Sequence, residues 1–283
     1  LSSDLVLAES DLQGHTETYG GCPVIIQGRA ISSGKVEGTV LKLNETFSFL
    51  GGVNATTGDL KVAEGNIAGK VFVFYAGKGS TVGSFVMYDL MVHGKAPIAV
   101  VNNTAETIVT TGAVISSIPM VDKIDIDLLQ DGDDVIIDGD NGTVEIKGIR
   151  VVQTVSCALL NESGKVLLLK RPDTAKSFPS RRSLVAGKVE PGEDIVNTAP
   201  REIMEETRIK VSEPDARLPP IFVREGSTIW EVYPFLFRVR NPRPVLNKEN
   251  LSFEWITPED IKKDSSIVPQ TYDVVNKMLK MLK

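Results

Sequence analysis

Glu202, Glu205 and Glu206 stand at i, i+3 and i+4 in the stretch PREIMEETRI, residues 200–209. On a helix all three carboxylates share one face. Left unpaired at that spacing, like charges repel by roughly 0.2–0.5 kcal/mol per pair. A hard divalent cation turns the crowding into binding, because Mg²⁺ takes carboxylate oxygens together with substrate phosphates. The glutamates alone would also suit a solvated acidic face. Their flanks carry more information: Gly187 precedes Glu193 by six positions, and Arg201 follows eight further on.

That stretch, GKVEPGEDIVNTAPREIMEETRI (187–209), resembles the Nudix box. The signature is Gly, five residues, Glu, seven residues, Arg-Glu, an aliphatic residue, any residue, Glu-Glu, any residue, Gly and an aliphatic residue. Gly187, Glu193, Arg201, Glu202, Ile203, Glu205, Glu206 and Ile209 all fit it. The resemblance implies that Glu202, Glu205 and Glu206 coordinate Mg²⁺ or Mn²⁺, with the Gly187 carbonyl as a further ligand. It implies an ion pair between Glu193 and Arg201 that holds the loop rigid. The implied activity is metal-assisted hydrolysis of a diphosphate linkage in a nucleotide or prenyl diphosphate.

The departure is Arg208, where the family has glycine. A left-handed helix end suits glycine, and an arginine there costs on the order of 1 kcal/mol. The preceding LLLKRPDTAKSFPSRRSLVAGKVEPGE is also similar to the isopentenyl-diphosphate isomerase branch. That branch needs a cysteine before the box, and residues 180–190 hold none. Glu225, Glu231 and Glu254 are candidate bases outside the box. Arg181, Arg182 and Arg224 read equally as phosphate ligands or surface charge. Trp230 and Trp255 read as packing residues ahead of base-stacking ones.

A second candidate lies in FYAGKGSTVGSFVMYDL (74–90), a strand, a Gly-Lys-Gly-Ser-Thr loop and a helix. Backbone N–H groups at such a helix start favour an anion. Lys78, Gly79, Ser80 and Thr81 add donors, although the spacing is not that of a Walker loop. With GRAISSGKVEGTVLKL, FLGGVNATTGDL, APIAVVNNTAETIVTTGAVISSIPMVD and DGDDVIIDGDNGTVEI, this segment resembles the aconitase X swivel domain. In archaea that is the small subunit of phosphomevalonate dehydratase.

The resemblance implies dehydration of 5-phosphomevalonate to trans-anhydromevalonate 5-phosphate in an archaeal mevalonate route to isoprenoids. Ser80 would be the base, with Lys78, Gly79 and Thr81, and Asn54, Thr56 and Thr57, at the substrate. A serine needs strong stabilisation of its oxyanion for that role. An iron–sulfur cluster would act as Lewis acid. Such a cluster needs about three protein thiolates, and this chain has only Cys22 and Cys157. The cluster is therefore expected on a partner, the large subunit. The competing reading is a phosphohistidine swivelling domain. It needs a histidine in the loop, but the two histidines are His15 and His93, near a helix end.

The elements that position these residues follow from periodicity. VEGTVLKL, KVFVFYA, APIAVV and DVIIDG read as strands between turns. VGSFVMYDLMVHG reads as a helix, with Val82, Phe85, Val86 and Leu90 at helical spacing and Gly94 at the cap. DGDNGT (138–143) is a turn and TVEI its hairpin partner. VVQTVSCALL and KVLLLKR flank NESG as a hairpin, a helix follows over about 194–207, and STIWEVYPFLFRVR is a strand run. TPED (257–260) is a capping box before a short helix, and TYDVVNKMLKMLK is an amphipathic C-terminal helix.

The fold class expected is mixed α/β and α+β. An extension over 1–22 leads into a swivelling β/β/α domain over 23–148, then a Nudix α/β/α sandwich over 149–283. A length of 283 residues suits two domains. A net charge of −6 gives no reason to expect binding of a nucleic-acid polymer, which needs a basic face. No apolar run reaches the roughly 18 residues of a membrane span. The expected partners are the large subunit and phosphorylated small molecules, in a reducing cytoplasm. Alternatively, the second domain is a non-catalytic sensing or docking module.

Overall fold

The computed structural model describes residues 5–7, 24–175, 177–240 and 242–282. Two compact units emerge. Among the described residues the first holds 5–7, 24–150 and 224–229, and the second holds 151–223 and 230–282.

The first unit is built on one sheet, ordered β1-β2-β9-β8-β4-β5-β6-β7-β3. Its strands are β1 (Leu5–Leu7), β2 (Val24–Gln27), β3 (Arg29–Ser32), β4 (Lys35–Leu43), β5 (Val71–Ala76), β6 (Ala99–Thr104), β7 (Met120–Asp122), β8 (Asp134–Asp138) and β9 (Thr143–Ile146). The central run β4-β5-β6-β7 is parallel, so its strand ends lie along one edge. Antiparallel strands flank it. The expectation of an extension over 1–22 falls outside the described residues, except at Leu5–Leu7, which pair with Val24–Ile26.

A short turn, α1 (Phe49–Gly52), and two helices, α2 (Val82–Val92) and α3 (Thr107–Ile115), belong to the same unit. Gly94 ends α2 at a φ of 62°, as its position implies. The buried face of α2 is Gly83, Ser84, Met87 and Leu90. Val82 and Phe85, read from spacing as part of the apolar stripe, point outward instead, and Phe85 is 68% exposed. Helix α3 has the sequence TIVTTGAVI, whose β-branched residues favour strand. Packing overrides that preference: Val109 and Ala113 join Met87, Leu90, Phe72 and Phe74 in one core. Gly112 makes the approach possible, since a Cβ there would lie 2.4 Å from Met87 Sδ.

The second unit contains β10 (Arg150–Asn161), β11 (Val166–Lys170), β12 (Arg182–Ser183), β13 (Val185–Lys188), α4 (Ile195–Thr207), β14 (Ala216–Arg217), β15 (Ile221–Glu225), β16 (Thr228–Val239), β17 (Ser252–Ile256), α5 (Pro258–Lys263) and α6 (Thr271–Met281). Strand periodicity of two sends alternate residues to opposite faces. Leu167 and Leu169 pack with Ala199 and Ile203 of α4. Val166 and Leu168 pack with Ile261 of α5 and with Val275 and Met278 of α6. The expected α/β/α sandwich is the result. Thr257 caps α5 by accepting the Asp260 N–H at 3.3 Å.

The segment 224–229 departs from a simple boundary near 149. Arg224 donates to Asp133 at 2.9 Å and to the Leu128 carbonyl at 3.2 Å. Arg150 donates through its backbone N–H to Ser227 O at 3.1 Å and through Nε to Thr228 Oγ1 at 2.9 Å. These contacts group the turn between β15 and β16 with the first unit.

Candidate functional site

The glutamate helix is fixed at both ends. Asp194 caps α4 by accepting the Val196 N–H at 2.8 Å. Arg208 closes it at φ 59° and ψ 16°, in the left-handed region. The arginine thus adopts the backbone that the family reserves for glycine, and carries that strain beside the site.

Arg201 gathers the loop around the helix. Its Nε and Nη2 donate to the two Glu193 oxygens at 2.7 and 2.8 Å. Nη2 also donates to the Lys188 carbonyl at 3.1 Å, and Nη1 donates to Glu202 at 2.8 Å. The guanidinium holds Glu193 down to a pKa of about 2.

Glu202 and Glu206 point inward, with only 8% and 5% exposure. A Cβ on residue 187 would sit 1.8 Å from the Glu202 carboxyl carbon, so the carboxylate fills the space that Gly187 leaves. Glu206 accepts from the Ala186 N–H at 3.4 Å and from Asn250 Nδ2 at 2.7 Å. Burial pushes Glu206 up to about 7 and raises Glu202 as well. Glu205 lies outside this pair, half-exposed, 3.5 Å from Arg201.

Among the described residues no group of three or more His, Cys, Asp or Glu side chains is arranged to hold a metal ion by itself. An open site suits Mg²⁺, which retains waters and recruits substrate phosphates. The donor set fits such an ion: hard oxygens, two of the carboxylates being buried, with burial raising the pKa of both. Cys157 is buried on β10, and burial pushes its thiol well up, so it offers no reactive thiolate.

The other nominated groups are engaged elsewhere. Arg181 donates to the carbonyls of Ser265 and Ile267, both at 3.0 Å. Arg182 pairs with Glu254 and Asp264. Arg224 pairs with Asp133 and is 3% exposed. Glu231 accepts from Gln153 at 3.0 Å and from Tyr233 at 2.6 Å. Sequence reasoning missed Asn250 and Glu249. The Glu249 charge bears on both Glu202 and Glu206. No spacing rule links residues 249–250 to the box; only the fold brings them there.

In the first unit the Gly-Lys-Gly-Ser-Thr loop leaves the carboxyl end of β5, where open parallel sheets place ligands. Phe47 accepts the Lys78 N–H at 2.9 Å and donates its own N–H to Ala76 at 2.9 Å. Its ring is buried among Phe49 and Phe72, each at a centroid distance of 5.0 Å. Gly79 has φ 106°, and a Cβ there would meet Ser48 Oγ at 2.7 Å. Lys78, Gly79, Ser80 and Thr81 are exposed. Ser80 Oγ accepts the Val82 N–H at 3.3 Å. Beside them Glu106, also unforeseen, lays a shielded Oε2 against Gly77, with no donor among the described residues.

Asn54 and Thr57 hold their own turn, accepting from the Thr56 and Asp59 N–H groups. The Thr57 carbonyl accepts from Asn66, and the neighbouring Gly58 lies against the Lys95 carbonyl. Lys95 follows the far end of α2, roughly 16 Å of helix rise from Ser80. His93 caps α2, its Nδ1 2.8 Å from the Asp89 carbonyl.

Two outcomes follow for the second unit. An acid whose pKa rises on folding contributes stability that is lost as pH rises from its unfolded to its folded value. For Glu206 that window runs from 4.5 to about 7. Thermal melts of metal-free protein should fall between pH 4.5 and about 7, Mg²⁺ should restore the loss, and Glu206→Gln should flatten it. Arg208→Gly should relieve the left-handed strain and raise stability by up to about 1 kcal/mol in denaturant titrations.

The aconitase X swivel domain profile matches residues 25–146, and the NUDIX domain profile matches 151–277. The phosphomevalonate dehydratase small subunit of Thermococcus kodakarensis is 51% identical over 126 residues, covering 43% of this chain and 95% of the relative. The crystal structure of Thermococcus kodakaraensis aconitase X in its holo-form is 49% identical, covering 43% of this chain and 97% of that one, with a TM-score of 0.42. The MutT protein of Methanosarcina mazei Go1 is 22% identical, covering 48% of this chain and 97% of that one, with a TM-score of 0.44. With its first unit matched in this way, the chain belongs to the aconitase X swivel family of phosphomevalonate dehydratase small subunits and carries a Nudix domain C-terminal to that unit in the sequence.

Proposed function

We propose that the chain is a working dehydratase small subunit joined to a Mg²⁺-dependent hydrolase of a diphosphate linkage. The observation that carries the second half is the burial of Glu202 and Glu206 against Gly187 and Ala186, with Arg201 supplying only part of the countercharge. A bound divalent ion supplies the remaining charge and polarises the phosphoanhydride. Glu202 and Glu206, with Glu205 at the rim and the Gly187 carbonyl, hold that ion. Arg201 and Glu193 keep the loop in register. Among carboxylates outside the box, Glu249 is the proton acceptor this reading favours, because it adjoins Asn250, whose Nδ2 donates to Glu206 at 2.7 Å.

In the first unit Ser80 accepts the substrate proton, and Lys78, Gly79 and Thr81 hold the anionic substrate. The partner large subunit carries the iron–sulfur cluster and its Lewis-acid chemistry, since this chain has two cysteines. Leu50, Val82, Phe85, Tyr88 and Val92 form an exposed apolar face that begins beside Ser80. This reading assigns it to the large subunit, whose docking both covers the apolar area and encloses the serine.

Mixing with the large subunit should produce dehydratase turnover that neither chain shows alone. Ser80→Ala should abolish turnover while the complex still forms in gel filtration. Phe85→Asp should prevent the complex; unimpaired assembly would remove α2 from the interface.

Mg²⁺-dependent cleavage by the isolated chain, tested on nucleoside triphosphates, ADP-ribose, nucleoside diphosphate sugars and prenyl diphosphates, should disappear in Glu206→Gln. Glu249→Gln should lower kcat by about 10²-fold or more while Mn²⁺ affinity holds. Absence of turnover on every compound, with metal bound, would reject the hydrolase and leave a sensing or docking module.

A further inference from the structure

The last carbonyls of a helix lack donors within the helix. At the end of α4 a distant segment supplies them. The Thr207 carbonyl accepts the Val245 N–H at 2.8 Å, and the Glu206 carbonyl accepts the Asn247 N–H at 3.4 Å. Further on, the Leu251 N–H donates to the Lys170 carbonyl of β11 at 2.8 Å. Residues 245–251 are thereby pinned between α4 and β11. Val245 and Leu251 are 62% and 64% exposed, so their burial is not what fixes the segment. Asn247 accepts the Glu249 N–H at 3.0 Å, a local turn that delivers the next residue. That residue is Asn250, half-buried, whose Nδ2 donates to Glu206 Oε2 at 2.7 Å.

Two carboxylates of the box are thus held in different ways. Glu193 meets a cation, since Arg201 donates to both of its oxygens. Glu206 meets neutral donors alone: Asn250 on Oε2 and the Ala186 N–H on Oε1. Among the described residues no cationic side chain pairs with Glu206. An ionised carboxylate has about four lone-pair sites, so each oxygen keeps room for a second partner. A neutral amide orients a buried charge without cancelling it. A lysine or arginine in the same place would cancel it and compete with any bound cation. Partners that hydrogen-bond a ligating carboxylate fix its orientation, and their loss costs about 10–100-fold in metal affinity.

We infer that Asn250 is a positioning residue of the metal site, whose neutral amide fixes the Glu206 carboxylate and leaves its charge to a divalent cation. This rests on the hydrolase reading, and the test separates the two. Mn²⁺ is titrated into the full-length protein and followed by electron paramagnetic resonance, with melting temperatures measured in the absence of metal. Asn250→Ala should weaken Mn²⁺ binding about tenfold or more, whereas Glu249→Gln, one residue away, should not. Asn250→Lys should abolish Mn²⁺ binding and melt above Asn250→Ala when metal-free. A mere latch for residues 245–251 would lower both melting temperatures alike and leave Mn²⁺ affinity at the parent value, and that result overturns the inference.

With saturating Mg²⁺, Asn250→Ala should lower kcat with KM little changed, because Asn250 acts through Glu206 and not on the substrate. Parent turnover with unaltered Mn²⁺ affinity in both variants rejects the role of Asn250 and keeps the hydrolase. Mn²⁺ binding that weakens in Asn250→Ala, without turnover by the parent on any compound, keeps Asn250 and rejects the hydrolase. A parent that binds no Mn²⁺ overturns both.

Discussion

One guanidinium sets the terms for the second unit. Arg201 bonds both oxygens of Glu193, the carbonyl of Lys188 and the carboxylate of Glu202. It therefore ties the strand end, the loop and the helix into one rigid piece. It also offsets part of the negative charge that Glu202 and Glu206 bring into the interior. Two buried carboxylates are costly without a counterion. One arginine cannot neutralise both and Glu193 as well. The remainder is met by a proton on Glu206 or by a cation, and these compete for the same oxygens. Gly187 is bound into the same constraint, since any side chain there would occupy the Glu202 carboxylate's place.

The Ser80 loop is organised by different physics. Among the described residues no ion pair holds it. Phe47 anchors it by backbone hydrogen bonds on either side of Gly77, while its ring packs in a cluster of phenylalanines. The loop is thus rigid at its base and exposed at its tip. A serine in water is a poor base, so the chemistry assigned to Ser80 requires enclosure by something outside this unit. The exposed face of α2 and the shielded, unpaired oxygen of Glu106 are features of a half-site. The buried glutamates of the second unit, in contrast, take their hydrogen bonds from Arg201, Ala186 and Asn250 of the same unit.

The sequence exposes whatever depends on local spacing. Glutamates at i, i+3 and i+4 had to share a helical face. The Gly-Lys-Gly-Ser-Thr loop had to follow a strand and open a helix. Local reasoning gave way where packing competes with propensity. The β-branched residues of α3 form a helix because Gly112 admits Met87. Val82 and Phe85 have helical spacing yet face outward, because spacing fixes a stripe but does not say which stripe is covered. Arg181, Arg182 and Arg224 had the charge for a phosphate, and the fold spends all of them on internal partners.

The amino-acid sequence by itself determined the two families, the order of the units, the glutamate triplet and the anomaly at Arg208, because each is a matter of residue type at fixed local separation. Tertiary structure decided the rest. It placed Asn250 and Glu249 at Glu206 and kept Asn54 and Thr57 in a turn of their own. These are encounters between residues distant in the chain. Their electrostatic consequences depend on through-space distance and burial, which local residue order does not encode.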